Sequence, residues 1–176
     1  MKTETLKKIF EFLEENDNRK TPFLWKWVNN IPLTEKDLNI EGNLDLTDTN
    51  IKSLPNGLKI AGNLILTETD MRFLPEGLLV GGHLDLYASK IDSLPKGLKV
   101  GRDLSIEATY IASLPRGLQV GGDLYLNDSK LLNNIDYNDS NELRDIVKKM
   151  VEPGFIKGNV IFNQEGYNWL KSDIYI

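Results

Sequence analysis

Hydrophobic positions change their spacing along the chain. Leu6, Ile9, Phe10 and Leu13, with Phe12 widening the stripe, recur every three or four residues, which predicts a short amphipathic helix. After the polar break Asn16 to Thr21, the cluster Phe23, Leu24, Trp25, Trp27 and Val28 predicts a second short helix opened by Thr21-Pro22. Either the two helices cover the open end of the fold built by the rest of the chain, or an exposed Trp25 or Trp27 anchors a partner. From about residue 33 the apolar spacing falls to two, inside a unit that itself recurs every 20 residues.

The Leu-Pro pairs at Leu54-Pro55, Leu74-Pro75, Leu94-Pro95 and Leu114-Pro115 set that period. Each is followed by a glycine (Gly57, Gly77, Gly97, Gly117) and a leucine (Leu58, Leu78, Leu98, Leu118), so a turn and the next core anchor recur together. Four complete units span about residues 54 to 133, and a partial one begins at Leu38 and Ile40. Within a unit two alternating segments, such as Leu78 with Val80 and Leu84 with Leu86, flank a glycine bend, and period two predicts strands. A 20-residue unit has no room for a helix of ordinary length beside a strand and two turns, so its outer side should be extended or hold a short 3₁₀ turn.

The expected architecture is a solenoid whose coils stack about 4.8 Å apart through parallel backbone hydrogen bonds. It has three internal columns: Leu44, Leu64, Leu84, Leu104 and Leu124; Leu46, Leu66, Leu86, Ile106 and Leu126; and Ile51, Met71, Ile91, Ile111 and Leu131. Thr49, Thr69, Ser89, Thr109 and Ser129 are placed to bond backbone at a turn and equivalent hydroxyls above and below.

The segments LILTETDMRFLPEG, LDLYASKIDSLPKG and LSIEATYIASLPRG resemble the leucine-rich repeat family, specifically its short bacterial or phage-type repeats, over roughly residues 38 to 133. The resemblance implies a solenoid with a parallel sheet on a concave face that frequently binds protein. Thr or Ser stands where the family's ladder asparagine is usual. The fold class expected for the whole chain is therefore α+β: a leucine-rich repeat solenoid with a parallel β-sheet, a mostly extended outer side and helical terminal caps. Its parts are residues 1–32 as N-terminal cap, 33–133 as solenoid and 134–176 as C-terminal cap. In that last segment Asp139 and Glu142 have capping-box spacing, Leu143, Ile146, Val147 and Met150 mark one helix face, and FIKGNVIF recovers part of the repeat. Tyr167, Trp169 and Leu170 are expected to pack over that rung, with Ile174, Tyr175 and Ile176 completing the cap or offering a partner motif.

Composition narrows the chemistry. The 176 residues carry 21 Lys and Arg against 26 Asp and Glu, a net charge of -5 that disfavours direct nucleic-acid or anionic-membrane binding. The absence of cysteine removes disulfides, thiol nucleophiles and thiolate metal sites, and a single histidine, His83, cannot make a multi-histidine zinc centre. Without an apolar run long enough for a signal peptide or membrane span, the expected location is cytoplasmic.

If the L-x-L leucines point inward, the residues flanking them face outward. Those rows are Asn43, Asp45, Thr47, Asp48; Asn63, Ile65, Thr67, Glu68; His83, Asp85, Tyr87, Ala88; Asp103, Ser105, Glu107, Ala108; and Asp123, Tyr125, Asn127, Asp128. Eight of these twenty are acidic and none is Lys or Arg, so negative charge is sorted onto one predicted face. A protein with a basic surface is the partner this implies, bound through Asp45, Glu68, His83, Asp85, Tyr87, Asp103, Glu107, Asp123, Tyr125 and Asp128. Tyr87 and Tyr125 add apolar area and hydroxyls. The expectation is a protein-binding module that needs no cofactor, an inhibitor or host-interaction factor among its possible roles. Two alternatives stand beside it. An acidic stripe can mimic nucleic-acid phosphates and block a DNA- or RNA-binding protein, and paired surface carboxylates can serve a hydrolase. His83 with Asp85, and Asp103 one coil away, is the best acid-base group, but nucleophile, phosphate-loop and zinc motifs are missing. The fragment GGHLDLYA faintly resembles calcium-binding β-roll repeats and fails at Leu84, where a second bend needs glycine.

Overall fold

The computed structural model describes residues 23–136 and 139–162. The helix expected at residues 6–13, and the packing expected of Tyr167, Trp169, Leu170 and Ile174 to Ile176, lie outside them. The chain divides into two compact units, Met1–Asn39 and Ile40–Ile176.

In the first unit, helix α1 (Phe23–Val28) buries Phe23, while Trp25 and Trp27 are half-buried. Lys26 reaches Asp37 at 3.1 Å. Asp37 also accepts bonds from the Thr34 backbone N–H at 2.8 Å and its hydroxyl at 2.7 Å. Burial opposes ionisation of Asp37, but the bonds from Thr34 and Lys26 outweigh it and hold the carboxyl below its ordinary value.

The second unit is built from six coils, whose first strand begins one residue before the division, at Asn39. Each contributes two strands of two residues: β1 (Asn39–Ile40) and β2 (Leu44–Asp45); β3 (Lys59–Ile60) and β4 (Leu64–Ile65); β5 (Leu79–Val80) and β6 (Leu84–Asp85); β7 (Lys99–Val100) and β8 (Leu104–Ser105); β9 (Gln119–Val120) and β10 (Leu124–Tyr125); β11 (Phe155–Ile156) and β12 (Val160–Ile161). The odd strands form one six-stranded sheet in the order β1-β3-β5-β7-β9-β11 and the even strands another, from β2 through β12, each ladder parallel with a register of one coil. Both alternating segments expected in a unit are strands, and the expected single parallel sheet is corrected to two sheets per turn of the solenoid. A further bridge, Phe73 with Ser93, joins neighbouring coils on the remaining side.

The columns hold. Leu64, Leu84, Leu104 and Leu124 are fully buried, as are Met71, Ile91, Ile111 and Leu131. Leu46, Leu66, Leu86, Ile106 and Leu126 are buried as the remaining column, and a fourth set, Leu58, Leu78, Leu98 and Leu118, sits inside after the Pro-x-Gly turn. The hydroxyl row is buried from Thr69 onward, with Thr49 half-buried, but each threonine donates to the carbonyl three residues back, as Thr69 does to Leu66 at 2.9 Å and Thr109 to Ile106 at 2.6 Å, instead of linking hydroxyls from coil to coil. Ser89 and Ser129 occupy the same row with unpartnered hydroxyls; without a γ-methyl their rotamer is less constrained. Just before this row the backbone is left-handed at Asp48, Glu68, Ala88, Ala108 and Asp128.

Between the fifth and sixth coils the chain inserts a 3₁₀ turn, Leu132–Asn134, and helix α2 (Ser140–Met150). Asp139 caps α2 by accepting from the N–H groups of Asn141 at 2.7 Å and Glu142 at 3.0 Å, and those bonds lower its carboxyl's titration. Leu143 and Val147 bury the apolar stripe. The chain then re-enters the solenoid: Phe155–Ile156 pairs with Gln119–Val120 and Val160–Ile161 with Leu124–Tyr125. An apolar face on the inserted helix lets it leave and rejoin the stack without exposing the column.

Candidate functional site: the acidic sheet face

The hydrogen-bond direction reverses between the two sheets, and that reversal creates the site's polar rows. Along the first sheet, backbone N–H groups donate to the preceding coil: Gly81 to Ile60 at 2.7 Å, Gly82 to Gly62 at 2.9 Å. Along the second they donate to the following coil: Leu64 to His83 at 2.9 Å, Leu84 to Asp103 at 2.9 Å. The residue at the switch has an N–H that neither ladder uses, and such a group needs an acceptor.

Side chains supply it. Asn43 Oδ1 accepts from Asn63 N at 2.8 Å, Asn63 Oδ1 from His83 N at 2.8 Å, Asp103 Oδ1 from Asp123 N at 2.7 Å and Asp123 Oδ1 from Asn159 N at 2.6 Å. His83 Nδ1 takes this place at 3.4 Å from Asp103 N. Asn43, Asn63, His83, Asp103 and Asp123, expected as freely facing surface residues, are thus rungs of a side-chain ladder. A Cβ on Gly62, Gly82, Gly122 or Gly158 would overlap the acceptor oxygen of the coil below. The one exception in that glycine row, Arg102, stands above the one imidazole. The imidazole nitrogen stands 3.4 Å from the N–H it serves, against 2.6–2.8 Å for the oxygens of the other rungs.

The next outward row is Asp45, Ile65, Asp85, Ser105, Tyr125. Asp45 Oδ1 accepts from Thr47 N at 2.9 Å and the Thr47 hydroxyl at 2.7 Å, closing the strand exit. Asp85 does the same for Tyr87 N at 2.9 Å and also accepts from the Thr67 hydroxyl at 3.0 Å. The expectation that Asp85 faces solvent is corrected: it is 5% exposed, Ile65 is 5% and Ser105 is 1%. Coils stacked at strand spacing cover short side chains from both neighbours. The expected acid-base pair is corrected with it: the groups bonded to Asp85 belong to Thr67 and Tyr87, while His83 Nδ1 faces Asp103, accepting from its N–H when neutral and meeting Oδ2 at 3.1 Å when protonated.

Burial pushes the Asp85 carboxyl above its ordinary value, partly offset by the bonds from Tyr87 and Thr67 and reinforced by the charge of Asp45. Because it titrates higher folded than unfolded, Asp85 weakens folding above both values, and the penalty fades as pH falls through the folded value. Asp85→Asn is expected to raise the thermal midpoint at pH 7, with the amide oxygen accepting from Tyr87 N and its NH₂ meeting the Thr67 hydroxyl. Melting curves of both proteins at pH 7 and pH 4 should converge at the lower pH; a lower midpoint for the variant at pH 7 would contradict this account.

Glu107 is likewise raised, first by burial and further by Asp85 and Asp128, against the lowering bonds from Asn127 and Ser105. Its carboxylate bridges Asn127 of the next coil and the Ser105 hydroxyl. Tyr87 is 47% exposed on the row containing Glu107, and Tyr125 is half-buried on the row containing Asp85. Asp45, Glu68 and Asp128 are exposed; Asp103 and Asp123 are half-buried. Acidic groups and one open tyrosine therefore share this face, with Asp85 beneath its surface.

Among the described residues, no group of three or more His, Asp or Glu is placed to hold a metal ion, and no helix is long and apolar enough to cross a membrane. Comparison of the chain with protein-family models, with curated proteins and with solved structures finds no match in any of the three.

Proposed function

We propose that this parallel β-solenoid is a non-catalytic protein-binding module whose second sheet receives a basic surface of a partner. The observation that carries the reading is a redundancy in the ladder. Asn43 and Asn63 satisfy the switch-point N–H groups with neutral amides, at 2.8 Å each, while Asp103 and Asp123 do the same backbone work with carboxylates. The backbone asks there for an acceptor oxygen and not for its charge, although Asp103 also sets Oδ2 3.1 Å from His83 Nδ1. Charge that the ladder does not require, beside exposed Asp45 and Tyr87, suits recognition. The likeness of the repeats to short leucine-rich repeats, whose sheet faces frequently bind protein, supports the same reading. Within it the protein acts in the cytoplasm, and an inhibitory role toward its partner is consistent with a rigid face lacking a catalytic motif.

The ladder also provides a clean test. Asp45→Asn, Asp103→Asn and Asp123→Asn combined keep every acceptor oxygen and remove three charges. Binding to an oligolysine peptide, and to the partner captured from source-cell extract, is expected to weaken about tenfold or more, as for loss of several rim charges at about 0.5–1 kcal/mol each, with the thermal midpoint little changed. Unchanged affinity at physiological salt would remove the acidic face from the binding role.

A further inference from the structure

The first sheet presents the opposite character. Its outward row pairs in the order Lys59, Leu79, Lys99, Gln119, Phe155, and Lys157 comes two residues after Phe155. Lys59, Lys99 and Lys157 are exposed and form no ion pair among the described residues. Leu79 at 36% and Phe155 at 45% exposure stand in the same row. From Lys59 to Phe155 this row carries no acid, whereas the second sheet carries no Lys or Arg on its outward rows from Asn43 to Asp128. The row of Lys157 begins with one acid, exposed Glu41 in the first coil, so from the second coil onward the two sheets carry opposite charge.

We propose that the basic first sheet of one copy docks on the acidic second sheet of another, so that the chain self-associates head to tail. The inference rests on the acidic face being a binding surface, and it names a second copy of this chain as one occupant of that surface. Charge spacing favours a second copy over a nucleic acid or other polyanion. Lys59 and Lys99 lie two coils apart, about 10 Å by strand spacing, with an apolar residue between them, which is sparse beside one phosphate per about 1.7 Å of duplex. The outward groups of the second sheet are spread at the same coil rise, because the same 20-residue repeat makes both surfaces. Carboxylates of Asp103 and Asp123 and the exposed ring of Tyr87 complement lysines interleaved with Leu79 and Phe155.

The geometry also fixes the form of the assembly. Two different faces meet, so the contact is heterologous, and each added copy leaves one free basic and one free acidic face. Strands of two residues offer a small area, which places the contact among weak, salt-sensitive encounters.

Sedimentation and light scattering of the full chain over a concentration series test this. At low salt the average mass is expected to rise past that of a dimer, and about 0.5 M salt should reverse it. Lys59→Glu with Lys99→Glu, and separately the triple amide variant of Asp45, Asp103 and Asp123, are each expected to stay monomeric. Mixed, they should form a one-to-one dimer that grows no further, because only one complementary pair of faces remains. A wild-type chain that stays monomeric at low salt, growth that stops at a dimer, or association indifferent to the lysine changes would overturn the proposal. So would binding of duplex DNA or a heparin oligosaccharide to the basic sheet in preference to self-association. Oligolysine binding to the lysine variant reports on the acidic face alone: retained binding without wild-type self-association defeats this inference and leaves the acidic-face reading standing, and loss of both defeats both.

Discussion

Leu104→Ala is expected to remove about 2–5 kcal/mol of stability, the range for deleting a buried leucine side chain, from a fold whose whole margin is on the order of 5–15 kcal/mol. Leu104 is fully buried and pairs with Leu84 on one side and Leu124 on the other. In a stack whose stability is roughly a sum of coil and interface contributions, a cavity in a middle coil weakens two interfaces at once. Leu44 occupies the same column in the first coil and is 8% exposed. Leu44→Ala should therefore fall near the lower end of that range. Urea unfolding of both variants measures the difference. Equal losses would show that the column does not act as coupled neighbours, and a reduced urea slope for Leu104→Ala would show that the coils on its two sides no longer unfold together.

Gly101→Ala is expected to cost about 3 kcal/mol, at the upper end of what overpacking a dense interior costs. A Cβ there would overlap the carbonyl oxygen of Gly81 and lie 2.9 Å from its carbonyl carbon. Both obstacles are backbone, so no side chain can rotate away. Relief requires the fourth coil to move off the third, which strains the bonds from Gly101 N to Val80 O at 2.8 Å and from Arg102 N to Gly82 O at 3.1 Å. Gly42→Ala is the control. Nothing lies within 4 Å of a Cβ at Gly42, and the change should stay within about 0.5 kcal/mol. Thermal melts of the two variants decide the matter: similar midpoints would mean that the inter-coil spacing yields easily, against the close stacking on which both sheets depend.

That stacking is also what makes the acidic face a fixed surface. Each carboxylate on the ladder is held by the backbone of the coil above it, so Asp103 and Asp123 present their remaining lone pairs in a constant geometry. Under the proposed function, a partner binding there would order fewer side chains than one binding long, mobile surface acids.

Much of the solenoid could be read directly from the residues. A 20-residue period with Leu-Pro at its head, alternation around Leu84 and Leu86, and the partial return of the repeat in FIKGNVIF are enough to predict stacked coils, three buried columns and a last rung after a helix. These are local regularities, and periodicity reports them faithfully because a side chain two residues along a strand returns to the same face. The capping role of Asp139 was equally legible, since its bonds run to residues two and three positions away.

The pairing of both strand sets into separate sheets, the burial of Asp85 and the ladder through Asn43, Asn63, His83, Asp103 and Asp123 were decided only by the tertiary structure. A signal was present: every member of that row carries a short side chain with an acceptor atom, and glycine lies one position before it in every coil except the one with Arg102. Taken one coil at a time, these residues look like variable surface. Their partners are 20 residues away, at Asn63, His83, Asp103 and Asp123, or 36 residues away across the inserted helix at Asn159. Alternation along a strand tells which way a side chain leaves its own backbone; whether it then meets water or the next coil depends on the spacing between coils, which only the stacked backbone sets.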